Sequence, residues 1–336
     1  MRAHAVNKTR ALVILVGLTL VGFTPLGSVA SAAAVGIELC ATTGSVTLPG
    51  EAAAVPIWGF GVPATPGDCA TATASLPGPL LTVNQGDVVT LTLRDNLPPG
   101  TGDVTHALRL EIPGIAFAPG PTDAAVGSAV TVTFTASAPG TYQYQSGGDG
   151  GRQEAMGLAG ALIVRPTSAP DTPIPGQAYG TAATAFDVEA TLVLGAVDPA
   201  FNNAPDTFDL HAYRATSWLI NGQPYPNAGI TAAAGQRVLL RYVNAGFDNT
   251  SMALLGMHEL VVARDARLLN NPFLAGAETI PAGGTEDAIA IVPATAPPGP
   301  NGFPLYNRNL HLTSGPQGSP SPTPATGGGM LTFIHP

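Results

Sequence analysis

Imidazole, thiolate and carboxylate side chains are the groups that bind metals or move protons, and this chain is sparing with the first two. Past residue 32 it carries five histidines, His106, His211, His258, His311 and His335, and two cysteines, Cys40 and Cys69. No two of those histidines stand at i and i+2, the spacing that sets two imidazoles on one face of a strand. A single histidine in a strand is more often a hydrogen-bonded structural residue than a ligand, so a small metal site at His258 or His311 is conceivable but not assigned. Asp149 and Glu154 lie near the Gly147-Gly148 loop and offer oxygen donors to a hard cation such as calcium, at a spacing that matches no known loop. No Gly-x-Ser-x-Gly turn occurs, and no nucleophile stands beside a base. Tyr142, Tyr144 and Trp218 could serve as an aromatic platform, although alternate strand positions usually face a core. On residue types alone, no catalytic residue, no cofactor-binding residue and no metal ligand is assigned.

The elements that would hold these residues begin after an export-type leader. Arg2, Lys8 and Arg10 precede an apolar run from Ala11 to Phe23, and Ala30-Ser31-Ala32 offers a small-residue cleavage site. The apolar run is too short to span a bilayer, so residues 1–32 are expected to be a signal peptide and no stable membrane anchor is expected. Without them, 10 basic residues, all arginine, face 22 acidic ones, a net charge of about −12. Such a surface repels phosphate backbones, which argues against nucleic acid as a partner. In an oxidising compartment, Cys40 and Cys69 are expected to form a disulfide over the first strands. The alternative, a free thiolate binding metal, finds no histidine partner at suitable spacing.

Few charges, many Gly, Pro and Thr residues and little helical periodicity point to an all-β fold. Val89, Leu91 and Leu93 alternate with Thr90, Thr92 and Arg94, a strand with one apolar face. Val130, Val132 and Phe134 repeat the pattern. Thr141, Tyr142 and Tyr144 lead into a glycine-rich loop, and the apolar run from Gly157 to Val164 closes at Pro166. Pro166 to Gln177 holds four prolines and reads as a linker. A shift of 149 residues lays Gly86, Val89, Leu91 and Leu93 on Gly235, Val238, Leu240 and Tyr242, the mark of tandem copies of one unit. The Ser/Pro/Gly-rich stretch Ser314 to Gly329 reads as a surface insertion.

Several stretches resemble the multicopper oxidase superfamily in combination. They are Leu76-Pro77-Gly78-Pro79-Leu80-Leu81-Thr82-Val83, Asn96-Leu97-Pro98, and Gly140-Thr141-Tyr142-Gln143-Tyr144 followed by Gly157-Leu158-Ala159-Gly160-Ala161-Leu162-Ile163-Val164. In the second half they are Ile220-Asn221-Gly222-Gln223-Pro224-Tyr225-Pro226 and Gly235 to Gly246, GQRVLLRYVNAG. The resemblance covers most of the chain from Gly44 onward. It implies two tandem Greek-key cupredoxin (plastocyanin-like) β-sandwich domains, at residues 33–166 and 179–336, joined by a linker at 167–178.

The same resemblance implies a trinuclear copper cluster held by eight histidines in four His-x-His pairs, and a blue copper held by one cysteine and two histidines. At the expected positions this chain has Arg109 and Glu111 in place of one pair, and Gln145 and Gly147 in place of another. His106 falls three residues too early. Arginine stays protonated and cannot ligate copper, so Arg109 and Glu111 are expected to form ion pairs there instead. The family's His-Cys-His segment does not occur, and assembly into a trimer would not restore the paired spacing. The expectation is a secreted, multicopper-oxidase-like protein without catalysis or bound cofactor, acting as a binding or structural module toward an extracellular ligand or protein. The alternative is a laccase-like copper-binding oxidoreductase using ligands outside the family's motifs.

Overall fold

The computed structural model describes residues 33–119, 122–169, 172–313 and 328–336. The expected leader, and residues 314–327 of the expected insertion, lie outside the described residues. Among the described residues no helix is long and apolar enough to cross a membrane.

The first half folds into β1 (Ala34–Val46), β2 (Val55–Gly61), β3 (Leu81–Asn84), β4 (Val88–Asp95), β5 (Leu108–Glu111), β6 (Asp123–Ala124), β7 (Ala129–Thr135), β8 (Gly140–Ser146) and β9 (Ala159–Arg165). They form two sheets, ordered β2-β1-β4-β7 and β3-β9-β8-β5-β6. The alternation read in β4 is real: Val89, Leu91 and Leu93 are fully buried and join Phe60, Leu108, Val132, Tyr144 and Leu162 in one core. Each such side chain taken out of water contributes about 1.5–3 kcal/mol.

A short ladder of β10 (Thr167–Ala169) and β11 (Thr172–Pro173) occupies the start of the proline-rich connection. The second half supplies β12 (Val188–Val197), β13 (Ser217–Ile220), β14 (Ile230–Thr231), β15 (Arg237–Asn244), β16 (Thr250–Leu254) and β17 (Glu259–Arg264). It continues through β18 (Arg267–Ala275), β19 (Ala277–Ile280), β20 (Thr285–Ile291), β21 (Phe303–Asn307) and β22 (Leu331–His335). Its sheets run β13-β12-β15-β20-β17-β18 and β14-β22-β21-β16-β19.

The internal repeat appears directly in this topology. In each half a parallel pair, β1 with β4 and β12 with β15, sits inside the first sheet, and a second parallel pair, β3 with β9 and β14 with β22, starts the other. Gly86 and Gly235, aligned by the shift of 149, both turn the chain into the central strand at positive φ, 97° and 85°.

The halves differ in what covers β4 and β15. Val238, Leu240 and Tyr242 of β15 face their own core, while Leu239, Arg241 and Val243 on the reverse face are buried as well. Leu239 packs with Ala178, Tyr179, Val262 and Ile289, so the end of the proline-rich connection lies over the sheet. Val243 packs with Val193 and with Ala161 of β9. Between these contacts Arg241 donates from Nη1 to Asp287 Oδ2 and to Thr141 Oγ1, both at 3.0 Å, and from Nε to Glu189 Oε1 at 2.6 Å. Thr141 in turn donates to Asp287 Oδ1 at 2.6 Å, and Tyr179 OH to Oδ2 at 2.6 Å. One buried polar cluster thus ties β8 of the first sandwich to β15 and β20 of the second. The Asn221-Gly222 turn touches the first sandwich too: a Cβ at Gly222 would lie 1.6 Å from the carbonyl oxygen of Leu76, so only glycine fits.

The expected disulfide is present: Cys40 on β1 bonds to Cys69 in the loop after β2. Gly67 N donates to Glu38 Oε1 at 3.0 Å, and Arg94 pairs with the same carboxylate, so the loop is pinned beside β1 twice. Replacing both cysteines by alanine is expected to cost about 3 kcal/mol, because the crosslink closes a 29-residue separation that the unfolded chain would otherwise explore. Urea unfolding of the variant against the oxidised parent measures it; a loss under about 1 kcal/mol would show that the loop is held without the bond.

Candidate functional site

β5 and β8 pair with Glu111 opposite Gln145 and Leu110 opposite Ser146. Alternation sends Leu108, Leu110, Tyr142 and Tyr144 into the first core and leaves Arg109, Glu111, Gln143 and Gln145 on the other face. This is the face where the resemblance places copper ligands, and hydrogen bonds fill it. Gln143 Nε2 donates to Gln145 Oε1 at 2.5 Å and to Glu154 Oε1 at 2.9 Å. Gln145 Nε2 reaches Glu111 Oε2 at 3.4 Å. The Glu111 carboxylate lies over Gly147, with Oε1 2.5 Å from where a Cβ would stand. Burial pushes Glu154 up to about 7, with the nearby Glu111 charge adding to the rise and the Gln143 amide opposing it.

Arg109 makes no ion pair with Glu111. It forks onto Asp123 of β6, with Nε–Oδ1 and Nη2–Oδ2 both 2.9 Å. The expectation of ion pairs at this place holds for Arg109, with a partner that only the β5–β6 register reveals.

The two oxygen donors considered for a hard cation are separate. Asp149 accepts from the backbone N–H groups of Thr105 and His106 at 3.1 and 2.8 Å and from Gln153 Nε2 at 3.1 Å, so it caps a loop. Glu154 belongs to the Gln143 network. Ser146 and Gln153 complete the cap, with Ser146 Oγ donating to Gln153 Oε1 at 2.6 Å.

The histidines fall in different surroundings. His106 is buried, edge-on to Trp58 at 4.3 Å, with Nδ1 2.7 Å from Pro98 O and Nε2 2.7 Å from Asp206 Oδ1. Its left-handed backbone, φ 59°, is held by the Asp149 cap. His211 is exposed beside Asp209 at 3.0 Å. His258 is exposed. His335 lies near Gly229 and Phe333. Among the described residues, no three His, Cys, Asp or Glu side chains are grouped to hold a metal ion. The residues at the expected ligand positions also fit copper poorly: an arginine, two amide or carboxylate side chains already hydrogen-bonded, and a glycine roofed by a carboxylate.

His311 is different. Its ring stacks on Trp218 with centroids 4.0 Å apart and planes 13° apart, and its ring nitrogens have no hydrogen-bond partner among the described residues. Burial holds it below the usual imidazole range, against the pull of the Asp248 charge, so it is neutral at pH 7. Trp218 and His311 form one wall of an open groove of about 490 Å³, with Tyr213, Phe247, Arg214 and Asp248 around it. Tyr213 meets Phe247 edge to face at 5.5 Å and donates its hydroxyl to Ala196 O. Of the three aromatics weighed as a platform, Tyr142 and Tyr144 are core and Trp218 reaches this groove.

Tyr213 and Arg214 come from the connection between β12 and β13, which no sequence pattern singled out. Asp198 opens that connection by capping a short helical turn through Ala200 N and Phe201 N. Phe201 then enters the core of the first sandwich, and Phe208 and Tyr213 pack against it. Arg152 of the first sandwich donates to Pro205 O and Phe208 O at 2.6 and 2.9 Å. The one available signal was length, since a connection this long without a strand pattern is uncommon in a compact domain and is often functional.

Residues 63–169 match the family model described as multicopper oxidase. Laccase-3 of Botryotinia fuckeliana is 28% identical over 238 residues, which are 66% of this chain and 44% of that protein. Copper resistance protein A of Pseudomonas syringae pv. tomato is 36% identical over 94 residues, 26% of this chain and 14% of that protein. The chain therefore spans less than half the length of these relatives. The blue copper oxidase from Nitrosomonas europaea has the same fold, with a TM-score of 0.69 at 19% identity, over 90% of this chain and 86% of that one.

Proposed function

We propose that this chain, which carries a multicopper oxidase family match over residues 63–169 on the same fold as a blue copper oxidase, is an exported binding module whose scaffold does no copper chemistry. The basic, apolar and small-residue order of residues 1–32 supports export. The observation that carries the non-catalytic part is the face of β5 and β8. Glu111 and Gln145 are bonded to each other, Glu111 covers Gly147, and Arg109 is turned onto Asp123. Fold similarity alone carries no activity, because function resides in the site.

The test is metal content after incubation with excess copper and removal of free ion, with absorption and paramagnetic resonance spectra on the same sample. The expected result is below about a tenth of an equivalent and no blue band. One or more equivalents with that band would overturn the proposal.

One observation favours a second reading as a copper-dependent oxidoreductase. His311 has ring nitrogens without a partner among the described residues, and Met330 lines the recess beneath it. One imidazole and one thioether, the latter already accepting from Asn307 Nδ2 at 3.4 Å, are a thin donor set. If copper is retained, His311→Ala must abolish it for this second reading to stand.

A further inference from the structure

We infer that the groove beside Trp218 and His311 is a binding site for a neutral saccharide, which deepens and rests on the binding-module proposal. Its volume, about 490 Å³, lies within the range of about 300–1,000 Å³ usual for small-molecule sites. Being open rather than enclosed, it suits one stretch of a longer chain.

Charge narrows the ligand. The Asp248 carboxylate has no hydrogen bond or ion pair among the described residues, and its field reaches both His311 and Tyr213. The Arg214 guanidinium has no carboxylate partner among the described residues. It donates from Nη1 to the backbone oxygens of His211 and Tyr213, at 3.3 and 2.5 Å, leaving other N–H donors available. A groove with one uncompensated charge of each sign favours neither a cation nor an anion. It rewards a neutral ligand that both donates and accepts hydrogen bonds, with His311 adding a neutral ring that can do either.

The remaining wall is aromatic. Phe247 is 40% exposed and offers the ring; Trp218, one face of which the His311 ring covers, is partly exposed beside it. Ring faces carry negative quadrupole density, which attracts the weakly positive C–H groups on the flat faces of a pyranose. Hydroxyls around the rim of such a ring are both donors and acceptors, matching Asp248, Arg214 and His311 in kind. A zwitterionic aromatic amino acid is the competing chemistry, and the experiment separates the two.

The intact exported protein is titrated with maltotriose, cellotriose, xylotriose and chitotriose, and with phenylalanine and tryptophan, by calorimetry; the sugars are also followed by intrinsic fluorescence. Trp58 is buried, so a fluorescence change reports Trp218. At least one trisaccharide is expected to bind with Kd below about 1 mM. Phe247→Ala and Asp248→Asn, both at exposed positions, are each expected to weaken it about tenfold or more, with unchanged melting temperature. Trp218→Phe, which keeps a ring, is expected to lose the fluorescence change and retain binding. No trisaccharide binding, or binding of the amino acids alone, would overturn the inference. So would binding that Phe247→Ala and Asp248→Asn leave intact. Retained blue copper beside intact saccharide binding would instead overturn only the non-catalytic proposal.

Discussion

Replacing Arg241 by methionine is expected to lower the unfolding free energy by about 3–5 kcal/mol. Methionine keeps most of the length and packing of the stem, so the loss is electrostatic. Asp287 is 1% exposed and would be left charged with only the Thr141 and Tyr179 hydroxyls, and Glu189 would keep only Arg165, at 2.6 Å. Adding Asp287→Asn removes the stranded charge and is expected to recover roughly half of the loss. Urea unfolding of the parent, single and double variants measures both numbers. If the single variant loses less than about 1 kcal/mol, the cluster does not hold β8 to β15 and β20.

The protein is expected to be more stable at pH 5 than at pH 8. Burial pushes Glu259 and Glu286 each up to about 7. Tyr242 OH donates to Glu259 Oε2 at 2.9 Å and Arg264 Nε to Glu286 Oε2 at 2.8 Å, but the other oxygen of each carboxyl is buried without a partner among the described residues. Glu278 adds like charge to both. Between about pH 4.5 and 7 the folded chain therefore binds more protons than the unfolded one, and stability falls as pH rises through that window. Each accounts for on the order of 3 kcal/mol, and the pair for less than twice that because the Glu259 charge itself raises Glu286.

Other carboxylates work in the opposite direction. Asp187, hydrogen-bonded by the Arg237 side chain and backbone, lies at about 2. Asp206, despite burial, is held low by His106 and Thr101, and Glu189, despite burial, by Arg165 and Arg241. Their share is present above about pH 4 and is lost as pH falls further, so the maximum is expected near pH 5. Melting temperatures should drop by on the order of 5 °C from pH 5 to pH 8, and Glu259→Gln should lessen that slope, with Glu286 and Glu154, each raised to about 7, supplying the rest. A melting temperature that rises from pH 5 to pH 8 would exclude the effect.

The strands were legible wherever one face met a core and the other did not. Val89, Leu91 and Leu93 declared β4, and the shift of 149 placed β15 upon it. β1 was missed, because Ile37, Leu39 and Ala41 share their strand with Glu38, Cys40 and Thr42 in a run whose middle is buried on both sides. The positions of the absent ligands were readable at Arg109, Glu111, Gln145 and Gly147, since those are matters of residue type. What they do was not: Arg109 meets Asp123 through a two-residue strand, and Glu111 meets Gln145 through register, neither of which leaves a local pattern. The groove was the least legible feature. Its walls come from Tyr213, Trp218, Phe247 and His311, brought together only once Phe201 has anchored the intervening chain in the neighbouring core.

The doubly buried β15 also bears on how two copies of one unit can drift apart. Position for position, Thr90, Thr92 and Arg94 of β4 correspond to Leu239, Arg241 and Val243 of β15. The first three sit on a half-solvated surface, whereas Arg241 and Val243 are buried against the first sandwich and Leu239 beneath the end of the proline-rich connection. Once the halves had docked, β4 remained open to polar exchange on its outer face while β15 lost that freedom on both. The halves are thus no longer interchangeable parts: a strand graft from β4 into β15 would carry two threonines and an arginine into an apolar and ion-paired seam. A duplicated fold becomes a heterodimer in one chain through such asymmetric constraint, without any change in its topology.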